Sequence, residues 1–240
     1  MRPSIADQTE TELGGRLSVL TRQRRDHVQL DRLLQELCTV SGEGEQDVLR
    51  RIYRLVFPHA FAEESVLWPT MRRVLPDGEE LTLQVEREHQ EVNELVTRLE
   101  ALPPGDAQRA PLLDRLTEVL REDVRDEEDE LFPRLQDRTD RRTLVRLGLL
   151  WEVVRRVAPT RAHPVVARRP PGNVLSALPL SAIDRLLDGA GWAATHGPAR
   201  TRDGLRSVSK GLGGVARAVE RIPFLRIGED PSTRVTAHAA

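Results

Sequence analysis

The sequence has little sulfur, few aromatic rings and almost no lysine. Cys38 is its single cysteine in 240 residues. That excludes an internal disulfide and an iron–sulfur cluster held by thiolates of one chain, and it suits a reducing compartment. Aromatic residues make up 3 %, so the core must be built mainly from Leu and Val. Among 36 basic residues only Lys210 is lysine, a bias that points to GC-rich coding more than to function. No run of about eighteen apolar residues occurs, and the opening MRPSIADQTETELGG has no apolar signal core. These absences predict a soluble cytoplasmic protein with no membrane partner. A net charge of −2 and a pI near 6.3 give no general attraction for polyanions. The arginines between 141 and 169 are scattered among Leu and Val, with Trp151 the only aromatic, so no nucleic-acid partner is expected.

What is present is helical periodicity. Up to about residue 136, apolar residues recur every three or four positions, and Gly and Pro mark the breaks. The pattern predicts helices over 13–39, 46–74, 79–102 and from about 110 to just past Pro133, closed by SGEGE, LPDGEE and PPGDA. Four helices of this length with short links predict an all-α fold, an up-down-up-down four-helix bundle over 13–136. Pro58 falls inside the second helix and should kink it or remove a backbone bond. Beyond the bundle, 137–190 reads as a helical and proline-rich extension, with a fifth helix at TLVRLGLLWEVVRR and a short amphipathic one at SAIDRLLDGAG. From 191 to 240 the chain is rich in Gly, Ala and Arg and reads as weakly ordered or disordered, so the extension is partly disordered. RSVSKGLGGVARAVERIPFL could form an amphipathic helix, but its glycines argue against it.

Two stretches repeat one frame: HAFAEESVLWP at 59–69 and DVRDEEDELFP at 123–133. Side chains at i, i+4, i+7 and i+11 share a helix face. Glu63 then shares a face with Ile52, Val56, His59 and Leu67, and Glu127 with Leu113, Leu116, Leu120, Asp123 and Leu131. His27 lies on the stripe Leu20, Leu30, Leu34, and His89 on Val85, Val92, Val96. Each predicted helix therefore turns an ionisable group toward the axis. Burying unpaired carboxylates costs several kcal/mol. A divalent metal pair removes that cost, and imidazole with carboxylate suits iron, manganese or zinc. Glu64 and Glu128, a quarter turn away, either support the ligands from behind or are solvated. A lone histidine on an apolar face is usually a satisfied core residue, and REDVRDEEDE alone reads as a solvated face. One ligand-type group per stripe in all four helices reads differently.

HAFAEESVLWP preceded by FP, with RRDH upstream, EREH downstream and the second frame DEEDELFP, resembles the hemerythrin-like HHE cation-binding domain over about 15–136. The APTRAHP and RRPPGN segments are similar to tails of actinobacterial members. The resemblance implies a non-haem, usually di-iron, centre held by His27, His59, Glu63, His89 and Glu127, with Glu127 bridging. Where the family pattern has histidine, this chain has Asp123, which implies a harder, more anionic site, reached directly or through water. A second histidine near His89 is missing. Glu86 stands one turn before His89, either in that place or as an exposed glutamate.

Together these readings predict a non-haem iron protein, di-iron by preference, that senses or handles oxygen, peroxide, nitric oxide or iron, with manganese and zinc fitting the same ligands. No catalytic residue is assigned. The rival is a metal-free helical scaffold derived from this fold, with the arginine-bearing extension as a docking surface. A ferritin-like oxidase would need Glu-x-x-His on two helices, and only Glu86–His89 matches it.

Overall fold

The computed structural model describes residues 2–196 and 198–234. Among these residues the fold is all-α. Its first helix, α1, is Val19–Leu37, started by Ser18, whose hydroxyl accepts from the Leu20 N–H. The second rod joins α2 (Glu43–Ala62), a π-helical turn (Glu63–Leu67) and α3 (Trp68–Val74). The third is α4, Gly78–Ala101. The fourth repeats the second: α5 (Arg109–Asp126), a π-helical turn (Glu127–Leu131) and α6 (Phe132–Arg138). These four rods are the bundle expected from the periodicity.

The two π turns share a cause. Pro69 and Pro133 have no N–H to give to the carbonyl four residues earlier, and their rings clash with it. The turn before each widens instead, and Trp68 and Phe132 donate five residues back, to the carbonyls of Glu63 and Glu127. Pro58, expected to disturb the second rod, lies within α2, whose helical run continues to Ala62.

Two apolar clusters fill the bundle. One contains Leu67, Trp68, Leu131 and Phe132, the other Leu30, Ile52, Phe57, Val92 and Leu120. The N-terminal segment, polar in composition, packs rather than hangs free. Ile5 and Leu13 are fully buried in the first cluster, and the Ser4 hydroxyl donates to the Glu128 carbonyl.

α7 (Arg141–Val157), capped by the Asp140 carboxylate, is the expected fifth helix. It packs against α1, α2 and the first π turn, and adds Leu144, Leu147 and Trp151 to the first cluster. Gly148 permits this, because a Cβ there would stand 2.2 Å from the Leu17 carbonyl oxygen.

Two further helices lie in the C-terminal extension. α8 runs Gly172–His196, well beyond the short helix expected, and α9 is Arg202–Glu220 in spite of its glycines. They pair with each other, with Leu180, Ala216 and Val166 forming a small core of their own. No Cβ contact crowds Gly204, Gly211 or Gly214, so those glycines are not packing points, and the helix is held by its apolar face. The end of the tail, from 235, lies outside the described residues.

Candidate metal centre

The layer between the two apolar clusters is polar. His27 comes from α1, His59 from α2, Glu63 from the first π turn, His89 from α4, Asp123 from α5 and Glu127 from the second π turn. Side-chain atoms of His27, His59, Glu63 and Glu127 lie within 4.8 Å of one another, and so do those of His89, Asp123 and Glu127. Glu127 belongs to both groups. Glu63 bridges them as well, 3.0 Å from His59 Nε2 through Oε1 and 3.7 Å from His89 Nε2 through Oε2. Glu63 and Glu127 are at most 1 % exposed.

All three histidines turn Nδ1 outward to a carboxylate and Nε2 inward. His27 Nδ1 meets Glu128 Oε1 at 2.8 Å, His59 Nδ1 meets Asp26 Oδ2 at 3.2 Å, and His89 Nδ1 meets Glu64 Oε1 at 2.9 Å. A carboxylate behind an imidazole fixes its tautomer and makes the inner nitrogen a better donor. Glu64 and Glu128 thus take the supporting role, not the solvated one. Asp26 was not foreseen, although it directly precedes His27 in RRDH. Its partner, His59, is 33 residues away, and helical periodicity carries no sign of that pairing.

On the inner side the polar atoms are unsatisfied. His27 Nε2, both Glu63 oxygens, both Glu127 oxygens and Asp123 Oδ1 are buried without a hydrogen-bond partner. His27 Nε2 is 3.2 Å from Glu127 Oε2 and Asp123 Oδ1 is 3.5 Å from His89 Nε2, but neither contact is aligned as a hydrogen bond. An unpaired buried polar atom costs about 1–3 kcal/mol, so this many in one layer calls for a cation. Imidazole nitrogens and carboxylate oxygens are a donor set suited to iron, manganese or zinc.

The electrostatics agree. Burial opposes protonation of the imidazoles, yet the surrounding carboxylates outweigh it. Glu127 and Glu128 lift His27 to about 9, Asp123 and Glu64 lift His89 to about 10, and Glu63 and Asp26 hold His59 well above its usual value. Burial also raises the carboxyls. It is overcome at Glu63, which His59 and His89 hold below the usual range. At Glu127, burial and the Glu63 charge push the carboxyl up to about 7, and at Asp123, burial and Glu127 push it well above the usual value. Without a metal, protons must balance the cluster. A cation would replace them.

The rings of Trp68 and Phe132 close one side of the layer, stacked with His89 at 6.4 Å and His27 at 6.3 Å. On the other side a cavity of about 20 Å³ touches His27, His59, His89 and Asp123 and is walled by Leu30, Val56, Phe57 and Val92. That is room for about one water-sized molecule. A surface groove between α1 and α5 reaches His27 and Glu128 from outside.

Glu86 is neither a ligand nor exposed, which corrects both readings of it. It is fully buried, and its carboxylate lies 2.5 Å from Arg72 Nη2 and 2.8 Å from Arg169 Nε. Two guanidiniums hold it away from His89. His163, in the APTRAHP segment, lies in a loop but is buried, between Glu220 at 2.7 Å and Asp184 at 3.1 Å.

Comparison with known proteins follows the same outline. Residues 18–135 match the family described as the hemerythrin HHE cation binding domain. An uncharacterized hemerythrin-like protein of Schizosaccharomyces pombe is 27 % identical over 131 residues, covering 54 % of this chain and 64 % of its own length. A DNA nickase of Nostoc sp. is 28 % identical over 115 residues, covering 48 % of this chain and 32 % of its own length. The chain thus spans less than two thirds of either relative. No solved structure matches it. Among the described residues no helix is long and apolar enough to cross a membrane. The bundle at residues 18–135 belongs to the hemerythrin HHE cation binding domain family.

Proposed function

We propose that the bundle holds two non-haem iron ions and that the protein senses or handles a small oxidant or gas at them: oxygen, peroxide or nitric oxide. The observation that carries this reading is the set of six inward polar atoms left without partners, on residues that form two groups sharing Glu127. His27, His59 and Glu63 would serve one ion, His89 and Asp123 the other, and Glu127, with Glu63, would span both. Bound iron supplies redox chemistry and an affinity for such ligands.

The chain's own residues do the rest. Glu128, Asp26 and Glu64 orient the imidazoles and hold their outer protons. Trp68 and Phe132 keep water from one side. The cavity limits what approaches to about one small molecule, and its apolar wall favours an uncharged one. Reversible oxygen carriage is disfavoured by Asp123, since a carboxylate in an imidazole's place stabilises the more oxidised metal.

Metal content tests the reading. After anaerobic loading with ferrous iron and desalting, mass spectrometry of the full chain should find about two irons. About one would mean that Asp123 leaves one position weak. None, in a folded protein, would leave the metal-free scaffold as the better account. Nitric oxide added to the ferrous protein should then produce an iron–nitrosyl absorption, and no spectral change would exclude direct access of small ligands.

A further inference from the structure

The carboxylates behind the three histidines differ in what stands behind them. Asp26, behind His59, has Arg155 Nη1 at 3.1 Å. The Arg155 guanidinium also lies 5.0 Å from the centroid of the Trp151 ring, and that ring meets His59 edge-on at 5.4 Å. Glu64, behind His89, has Arg168 Nη1 at 3.9 Å from Oε1, the same oxygen that faces His89 Nδ1. Arg168 is buried and fixed there, with Nε and Nη2 donating to the Gln90 side-chain oxygen at 3.2 and 2.9 Å. Glu128, behind His27, has no arginine within ion-pair distance among the described residues, and it lines the open groove. Both arginines lie beyond residue 135, outside the family domain.

We propose that Arg155 and Arg168 are positioning residues through which the C-terminal extension sets the reduction potential of the metal centre. This rests on the iron reading above. A carboxylate behind an imidazole pushes electron density toward the inner nitrogen. A guanidinium behind that carboxylate draws density back, so the imidazole donates less and the lower oxidation state gains. The arginines act through Asp26 and Glu64 and touch no ligand. They also make the extension part of the site, since α7, which carries Arg155, packs on α1, α2 and the first π turn, and the loop that carries Arg168 is tied to α4 by the Asn93 side chain, which accepts from the His163 N–H. The His27 side, with no arginine, keeps the stronger donor.

The test uses the full chain, loaded with ferrous iron, with R155Q, R155K, R168Q and R168K beside the unmutated protein. Iron content and the midpoint potential by spectroelectrochemistry are read for each. A unit charge acting over roughly 10 Å at an effective dielectric near 20 shifts an equilibrium by about tenfold. R168Q should therefore lower the potential by about 59 mV for a one-electron couple, with iron retained. R155Q should move it the same way, and the lysine variants should recover most of each shift because they keep the charge. An unmoved potential in both glutamine variants with iron retained would overturn the proposal, and so would equal shifts in the glutamine and lysine variants. If R168Q fails to fold or to hold iron, R155Q, on α7, carries the comparison. An unmutated chain that holds no iron would overturn the metal reading itself, a different failure from iron held at an unmoved potential.

Discussion

Glu127→Gln separates a metal-holding bundle from a metal-free scaffold, because the substitution should change stability in opposite directions with and without iron. In the metal-free protein, burial and Glu63 push Glu127 up to about 7. For an acid, a folded value above the unfolded one means that the charged form opposes folding, and the cost grows as pH rises from the unfolded value through about 7. At pH 8 the cost approaches about 3 kcal/mol. Glutamine keeps the shape and removes the charge, but it must still be desolvated at a cost of about 1–3 kcal/mol, so the net gain is about 1 kcal/mol. For a chain of this length that raises Tm by about 2–4 °C. Iron at about a hundred times its Kd adds about 2.7 kcal/mol to the unmutated protein, or about 5–11 °C. Losing the shared carboxylate should weaken iron about a hundredfold, the upper end for a ligand's supporting groups, which leaves about 0.4 kcal/mol. Thermal melts of both proteins, chelator-treated and iron-loaded at pH 8, form the cycle. The variant should melt higher without iron and lower with it. An equal gain from iron in both proteins would refute the reasoning, because Glu127 would then hold no metal.

Three further substitutions or conditions bear on other parts of the molecule. Asp123→His puts an imidazole beside His89 and Glu127 in place of a carboxyl whose burial already disfavours its charge. The variant should keep its iron against a higher chelator concentration than the unmutated chain, by mass spectrometry, and unchanged resistance would mean that Asp123 does not limit the site. Gly148→Ala places a Cβ against the backbone of Leu17 and Val19. It should cost about 1–3 kcal/mol and lower the melting temperature, and an unchanged melt would contradict the close crossing of α7 over the start of α1. At His163, burial works against the charge, but hydrogen bonds to Asp184 and Glu220 outweigh it and lift the group to about 9. Its folded value lies above the unfolded 6.5, so its contribution, up to about 3 kcal/mol, is complete below pH 6.5 and disappears as pH rises through about 9. Denaturant unfolding should show H163Q differing most from the unmutated chain at pH 6.5 and hardly at all at pH 10, and a constant difference would exclude the charged clasp.

Much of the site was legible because local periodicity determines it. His27, His59, Glu63, His89, Asp123 and Glu127 each sit on an apolar stripe within their own helix, and a 100° step per residue is enough to aim them inward. The residues that were not legible take their roles from partners far along the chain. Glu86 looks exposed in a polar stretch, yet Arg72 and Arg169 enclose it. His163 looks like a loop residue until Asp184 and Glu220 meet it. The glycines of α9 argue against a helix on propensity, but pairing with α8 buries Ala216 and holds it. The polar N-terminus hides Ile5 and Leu13, which join a core cluster that also holds Leu135 and Leu144, from more than a hundred residues along the chain.

The repeated frame has a reason that becomes clear only when backbone and side chains are taken together. In an α-helix adjacent residues point about 100° apart, so of two consecutive glutamates one normally faces solvent. Here Glu63 turns to the bundle axis and Glu64 to His89 of the neighbouring rod, and Glu127 and Glu128 divide their roles in the same way, with Glu128 behind His27. The proline at the end of each frame widens the turn in which the pair sits. One turn of chain thus delivers a candidate metal-bridging carboxylate and the support for a histidine on a different helix. Two frames supply two bridges and two supports, but the layer holds three histidines. The third, His59, opens the first frame itself and takes its support from Asp26 of α1, steadied by Arg155 of α7. In the second frame the corresponding position is Asp123, which has no ring N–H for an outer carboxylate to accept from. A histidine at this position would add an imidazole with such a contact; with Asp123 in its place, the supported ring on this side of the candidate centre is that of His89, backed by Glu64 and the arginine behind it.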